Sequence, residues 1–113
     1  MNFIIRLLIT AAAAYGLSMI LKGVHIPDFK DALILAIVLA LLNTFIKPLL
    51  VLLTLPFTII TLGLFLFVIN AIIILLADGL MDGIKIDGFL WALIFSLVLS
   101  FVTSVLHSLL EKE

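Results

Sequence analysis

Four long apolar runs most constrain what this chain can fold into, because each is close to the length that crosses a bilayer. The runs are Phe3–Leu21, Phe29–Leu50, approximately Phe57–Ala77, and Phe89–Leu110. A membrane helix needs about 20 mainly apolar residues, and lipid accepts only structures that satisfy every backbone hydrogen-bonding group internally. The sequence therefore predicts an all-α membrane protein with four transmembrane helices.

The composition argues against a soluble fold. Of the 113 residues, 66% are hydrophobic and 12% are charged, whereas about a quarter of the residues in soluble domains are charged. A chain of this length has no interior large enough to bury so much apolar surface. We expect the lipid bilayer to be its environment, and residues 1–113 to form a single membrane domain.

Several functional classes lack the residues that they need. A formal net charge of −1 gives no basic surface for nucleic acid. The chain has no cysteine, and His25 and His107 have no neighbouring carboxylates at metal-ligand spacing. No nucleophile–base pair and no phosphate-binding glycine loop is present. The sequence predicts a protein that is not an enzyme and that holds no metal and no cofactor.

Two similar polar segments interrupt the apolar runs, GVHIPDF at Gly23–Phe29 and GIKIDGF at Gly83–Phe89. When residues 23–50 are aligned with residues 83–110 without gaps, 10 of 28 positions are identical, against about three to five expected by chance. The alignment predicts an internal repeat, residues 1–50 and 58–113, with an apolar junction at residues 47–57. Each unit is a helical hairpin, and the two hairpins are related by a pseudo-two-fold axis along the membrane normal. The repeat also favours a retained first span over the cleaved signal peptide that it imitates.

Each polar segment contains a short stretch that alternates apolar and polar residues. These stretches are Val24-His25-Ile26 and Ile84-Lys85-Ile86, and turn-forming pairs follow both of them. Because a helical hairpin returns to the side it left, both segments should lie at the same end of the bundle. We expect them to lie side by side and to pair as short strands; the alternative is two independent hydrated loops.

The junction between the hairpins is almost wholly apolar, although Pro48 and Pro56 lie within it. Proline removes a backbone donor and restricts the residue before it. Either the second helix continues, kinked, to about Leu53 and turns at Pro56, or Pro48–Leu55 forms a separate interfacial or re-entrant helix. The sequence slightly favours a separate element after Pro48.

Polar and small residues form one face on each of two helices, at spacings of i, i+4, i+7, i+8 and i+11. The two faces consist of Ala36, Ala40, Asn43, Thr44 and Lys47, and of Ser96, Ser100, Thr103, Ser104 and His107. Small residues let membrane helices approach closely, and hydroxyls can bond across the contact. The faces are therefore interpreted either as a packing seam, which is the commoner use, or as a water-lined surface that forms a pore on oligomerisation.

Two asparagines and the cations carry further expectations. Asn43 and Asn70 need hydrogen-bond partners at membrane depth, either each other or a second subunit. Lys and Arg divide equally between the two ends of the bundle: Arg6, Lys47 and Lys112 at one, Lys22, Lys30 and Lys85 at the other. Arg6 and the free amino terminus favour cytoplasmic termini.

The stretch NTFIKPLLVLLTLPFTIITLGLFLFVINA at Asn43–Ala71, together with GIKIDGFLWAL at Gly83–Leu93, resembles a known family. Its characteristic spacing is carried by Lys47, Pro48, Pro56, Thr58, Thr61, Gly63 and Asn70. The chain is identified on these residues as similar to the phage holins of superfamily IV, mycobacterial four-span type. The resemblance implies a small protein that assembles into lesions in the cytoplasmic membrane and releases a lysin.

Two functional hypotheses follow. The first is a holin-like, homo-oligomeric pore or permeability protein of the bacterial inner membrane. The second is a non-catalytic interaction protein that serves envelope integrity through a membrane protein partner.

Overall fold

The computed structural model describes residues 2–111, without the side chain of Glu111. Six α-helical segments and two short strands follow one another. The elements are α1 (Phe3–Ile20), β1 (Val24–His25), α2 (Phe29–Leu41), the π turn (Leu42–Ile46), α3 (Lys47–Leu53), α4 (Leu55–Ile60), α5 (Phe65–Leu80), β2 (Lys85–Ile86) and α6 (Phe89–Glu111). Two of these segments, α2 and α3, are joined by the wide π-helical turn into one continuous helix, which we call the second helix.

Polar residues mark the start of two of the long helices. The side chain of Asn2 accepts a hydrogen bond of 3.0 Å from the Ile5 N–H, and that of Asp28 accepts one of 3.1 Å from the Asp31 N–H. These bonds satisfy backbone donors that have no partner inside a helix. The chain therefore leaves each polar segment and enters an apolar helix at a defined residue.

Within residues 2–111, three helices are long and apolar enough to cross a membrane: Phe3–Ile20, Phe29–Leu53 and Phe89–Leu110. The predicted all-α membrane architecture is confirmed at this level. The third predicted run is wrong in its bounds, because Phe57 belongs to the short α4 and α5 begins only at Phe65. With 16 residues, α5 is about 24 Å long, which is less than the roughly 30 Å of a hydrocarbon core.

The second helix runs without a break from Phe29 to Leu53, so the separate element favoured after Pro48 is wrong and the continuous alternative is correct. The π turn explains why. It ends just before Pro48, and the Lys47 N–H bonds to the Leu42 carbonyl, five residues back. A wider turn relieves the clash between a proline ring and the preceding carbonyls, so the helix continues past Pro48.

Threonine hydroxyls satisfy backbone groups along the apolar junction. The hydroxyls of Thr54, Thr58 and Thr61 donate to carbonyls four residues earlier, at 2.6, 3.1 and 2.9 Å, and the Phe65 N–H donates to Thr61 Oγ1 at 3.0 Å. None of the residues of α3 and α4 is buried. Backbone groups with internal partners allow this segment to lie in lipid despite its two prolines.

The two polar segments pair as an antiparallel strand ladder, as expected, so the alternative of independent loops is wrong. Val24 lies opposite Ile86, and His25 lies opposite Lys85. The Asp87 N–H extends the ladder with a 2.8 Å bond to the Gly23 carbonyl. Val24 and Ile86 are buried, whereas His25 lies outside and its Nε2 is 2.9 Å from Asp87 Oδ2. Both segments therefore lie at one end of the bundle.

Each polar segment also packs against the first turn of a helix from the other half of the chain. A Cβ atom on Gly23 would overlap the Trp91 ring of α6, and one on Gly83 would overlap the Asp31 carboxylate of α2. Trp91 lies 60 positions after Asp31, as Gly83 does after Gly23. Glycine at both positions thus permits the same close approach twice.

The core repeats with the same interval. In α1 and α5 the buried residues 60 positions apart are Ala11, Ala13, Ala14 and Leu17 with Ala71, Ile73, Ile74 and Ala77. In α2 and α6 they are Ala32, Leu35, Ala36 and Leu39 with Ala92, Phe95, Ser96 and Leu99. Helix α1 packs against α2 and α6, and α5 packs against the same two helices. Helices α2 and α6 therefore face one another across the bundle.

Gly23→Ala should destabilise the protein by about 1–3 kcal/mol, the usual cost of overpacking, because the added methyl group overlaps Trp91. Gly79→Ala is the matched control: a Cβ there meets nothing within 4 Å, and alanine is favoured over glycine inside a helix. Thermal unfolding in detergent micelles measures both variants. A Gly23→Ala protein as stable as Gly79→Ala would contradict the close approach of this segment to α6.

Candidate functional site

A cleft of about 280 Å³ lies between α1, α2 and α6, in the half of the bundle away from the strands. Its polar lining comes from α1, from α6 and from the π turn. These lining residues are Arg6, Thr10, Asn43, Ser100, Thr103 and His107. The apolar part of the wall includes Phe3, Leu7, Leu39 and Leu99. We call this space the larger cleft.

A second cleft of about 90 Å³, the smaller cleft, lies on the side of α5. Its polar lining residues are Asn43, Lys47, Asn70, Ser96 and Ser100. Leu39, Asn43, Leu99 and Ser100 line both clefts, so these residues form the wall between them. The two clefts therefore flank the line along which α2 and α6 face each other.

Most of the residues predicted as polar faces meet in these clefts. Of the eleven predicted site residues, nine line at least one cleft: Ala36, Ala40, Asn43, Lys47, Asn70, Ser96, Ser100, Thr103 and His107. Thr44 lines neither of them, and Ser104 lies in a shallow outer groove with Phe101 and Ser108. The two faces therefore point towards each other within one chain.

The sequence reasoning did not place Arg6 and Thr10 in this site. Phe3, Arg6, Leu7 and Thr10 all line the larger cleft, at the i, i+3, i+4, i+7 spacing of one helical face. The available signals were the spacing of Arg6 and Thr10 on α1 and the polar Asn70 that lies 60 positions after Thr10, whereas the equivalent of Arg6 is the apolar Leu66.

The hydroxyls do not bond across the helix contact, contrary to expectation. Thr44, Ser96 and Thr103 donate instead to carbonyls of their own helices, at 2.7, 2.9 and 2.8 Å. Between the described side chains of Asn43 and Asn70 no hydrogen bond forms, although both line the smaller cleft. Serine and threonine commonly satisfy themselves in this way inside helices, which leaves little to hold the two faces together as a polar seam.

Several polar groups in the larger cleft are left without a protein partner. Within residues 2–110, the side chains of Arg6, Thr10, Asn43 and Ser100 form no intramolecular hydrogen bond, and Nε2 of His107 is buried without one. Polar groups at membrane depth need a partner, and in an accessible cleft water can supply it. The described residues contain no group of three or more His, Cys, Asp or Glu suited to a metal ion.

Towards the strands, the interior is closed by apolar side chains. Leu35 and Phe95, from the facing helices, are fully buried, and Val24 of β1 is buried nearer the strands. The clefts therefore end inside the bundle as a polar vestibule and do not cross it.

Ser96→Leu should destabilise the protein by about 1–3 kcal/mol, because Ser96 is only 5% exposed and a leucine side chain overpacks this position, although one edge of Ser96 borders the smaller cleft. Ser104→Leu, two turns along the same helix and exposed on the outside, should change stability by no more than about 0.5 kcal/mol. Equilibrium unfolding of both variants in detergent compares them. Equal stability of the two would show that Ser96 is not packed between helices as described.

Comparison with known proteins agrees with this architecture. The chain matches the family described as mycobacterial 4 TMS phage holin, superfamily IV, over residues 1–105. It is 39% identical over 112 residues to the uncharacterized membrane protein YvlD of Bacillus subtilis (strain 168), which covers 96% of this chain and 88% of that protein. It is also 39% identical over 82 residues to the uncharacterized protein SCO3922 of Streptomyces coelicolor, which covers 69% and 66% of the two chains. No solved structure matches. The match confirms the resemblance seen in the sequence: this is a bacterial membrane protein, and it belongs to the mycobacterial 4 TMS phage holin family of superfamily IV.

Proposed function

We propose that this protein is a holin-like permeability protein of the bacterial inner membrane, which acts without catalysis and as a homo-oligomer. The observation that carries the proposal is that two polar faces converge on the two clefts. One face belongs to the continuous helix of α2, the π turn and α3, and the other belongs to α6. A dry packing seam has no need of unpartnered donors, whereas a water path does. The vestibule supplies the polar half of such a path.

The closed half of the bundle supplies a gate. Leu35 and Phe95 are fully buried between the vestibule and the strands, and Leu39 and Leu99 border the vestibule beside them. A constriction lined by apolar side chains blocks ions by excluding water until it widens. In this proposal, assembly of several copies separates α2 from α6 and widens the apolar constriction. Permeation therefore depends steeply on protein density in the membrane.

The proposed architecture includes a fourth crossing and a tandem repeat. Helix α5 must return the chain to the end where β2 pairs with β1, and a short helix can cross where the bilayer thins locally. His25 pairs with Lys85, which is its equivalent 60 positions later. A two-fold axis that passes between these two residues would produce this pairing. The repeated core positions and the pair of flanking clefts support the same symmetry.

We propose cytoplasmic termini. Arg6 and Lys47 line the clefts in the half of the bundle that holds the termini, which agrees with the bias of cationic residues towards the cytoplasm. Lys112, the third cation assigned to that end, lies outside the described residues.

The second candidate is an interaction protein for envelope integrity, and the strand end favours it. Phe29, Phe89 and Leu90 are 41%, 44% and 66% exposed beside the exposed His25–Asp87 pair. Aromatic side chains beside charges are typical of protein contact surfaces. This candidate assigns function to the strand end and only packing to the clefts.

Release of entrapped ions and small dyes from liposomes tests the first candidate. Release should rise steeply with the protein-to-lipid ratio. The double variant Ser100→Leu/Thr103→Leu should reduce it by about tenfold or more, because leucine at these positions removes water from the vestibule. The matched control is Ser104→Leu/Ser108→Leu, which adds the same side chains to the outer groove of α6 and should leave release unchanged.

Tight liposomes at every ratio, with helicity and insertion verified, would contradict the permeability function. In that case Asp87→Ala and Phe89→Ala should abolish cross-linking to a membrane protein in cells if the second candidate is correct. Equal loss of release in both double variants would show that the clefts are not the path.

A further inference from the structure

The larger cleft combines positive charge with free hydrogen-bond donors. Arg6 brings a positive charge to it from α1, His107 lines it from α6, and no Asp or Glu is among its lining residues. Within residues 2–110 every acidic residue lies near the strand end: Asp28, Asp31, Asp78, Asp82 and Asp87. Glu111 follows His107 by one helical turn, and its side chain lies outside the described part of the chain. The described wall of the cleft is therefore cationic.

The donors in the cleft are available for a ligand. Thr103 donates to the Leu99 carbonyl, but Arg6, Thr10, Asn43 and Ser100 form no hydrogen bond within residues 2–110. Nε2 of His107 is buried and has no partner either. Buried polar atoms without partners are rare in folded proteins; Nε2 is closed to solvent here, so a bound group reaches it only when the imidazole ring turns towards the cleft.

We propose that the larger cleft binds a phosphate group. A phosphate presents several oxygens in a tetrahedral arrangement, and the donors converge on the cleft from α1, from α6 and from the π turn. Arginine binds phosphate through two parallel N–H groups, and a histidine N–H adds a second charge-assisted bond because the phosphate acceptor is itself charged. A volume of about 280 Å³ corresponds to roughly nine waters at about 30 Å³ each, which accommodates a phosphate and part of its hydration shell.

The position of the cleft along the membrane normal suits a lipid headgroup as well as free phosphate. Arg6 lies in the first turn of α1, whose 18 residues extend about 27 Å and match the hydrocarbon thickness of about 30 Å. Cationic pockets between transmembrane helices at this level bind lipid phosphates. Phe3 and Leu7 add apolar walls beside Arg6. The binding site does not depend on whether the cleft conducts.

Binding to the purified full-length protein in a non-ionic detergent tests the site apart from any leakage. The probes are inorganic phosphate, dihexanoyl phosphatidylglycerol and, as a zwitterionic comparison, dihexanoyl phosphatidylcholine. Native mass spectrometry and the shift in unfolding temperature report occupancy. Arg6→Gln and His107→Gln should each weaken binding by about tenfold or more, since each removes a charge-assisted hydrogen bond. Lys30→Gln, which removes an exposed cation at the strand end, should leave binding within about twofold.

Each outcome decides the proposal. If phosphatidylglycerol binds saturably and in preference to phosphatidylcholine, and this binding is lost in the Arg6 and His107 variants, the ligand is a lipid headgroup. If only inorganic phosphate binds saturably and loses binding in the same variants, the ligand is a free anion. Arg6→Lys, which keeps the charge but not the paired N–H groups, should bind with intermediate affinity and shows that loss in Arg6→Gln is not loss of folding. Absence of saturable binding, or equal loss in Lys30→Gln, overturns the site.

Discussion

The antiparallel pairing of two very short strands determines how the rest of the molecule is arranged. Two residues from each half form the ladder, and the Asp87 N–H adds a bond to the Gly23 carbonyl. A two-stranded ladder of this length has marginal stability alone. Here the side chains of its residues Val24 and Ile86 are buried, and the glycine next to each strand packs closely against the opposite half of the chain. With the loops joined at one end, α2 and α6 are held facing each other across the bundle.

The same pairing also explains where the two halves differ. Asp87 donates its backbone N–H to Gly23, but the residue equivalent to Asp87 is Pro27, which has no N–H to return to Gly83. The Asp87 carboxylate also accepts a hydrogen bond from the His25 ring. Pro27 has no side-chain acceptor that could bind Lys85 in the same way. The larger and smaller clefts differ in a comparable way, with Arg6 and Thr10 lining one and Lys47 and Asn70 lining the other. The two clefts are therefore chemically distinct spaces.

The sequence predicts the parts of this structure that follow from apolar length and repetition. The spans around α1, α2 and α6, the shared location of the polar segments and their pairing all follow from run length and the interval of 60. The course of the junction does not, because Pro48 argues for a break, and run length gives no sign of the π turn that accommodates the proline. The convergence of Ser100, Thr103 and Asn43 on a common cleft also depends on tertiary packing. The residue pattern of a single helix shows which residues share a face, but it does not show which other helix that face contacts.

The central claim is that the polar faces of α2 and α6 enclose water inside one chain. Because the chain has no cysteine, single-cysteine variants in liposomes test this directly with a charged, membrane-impermeant thiol reagent, which reacts with thiolate and therefore needs water. Ser100→Cys should be modified at least about tenfold faster than Phe101→Cys, its neighbour at the same depth, which is 70% exposed on the outer, lipid-facing surface. Equal rates at the two positions, or faster modification of Phe101→Cys, would contradict the account.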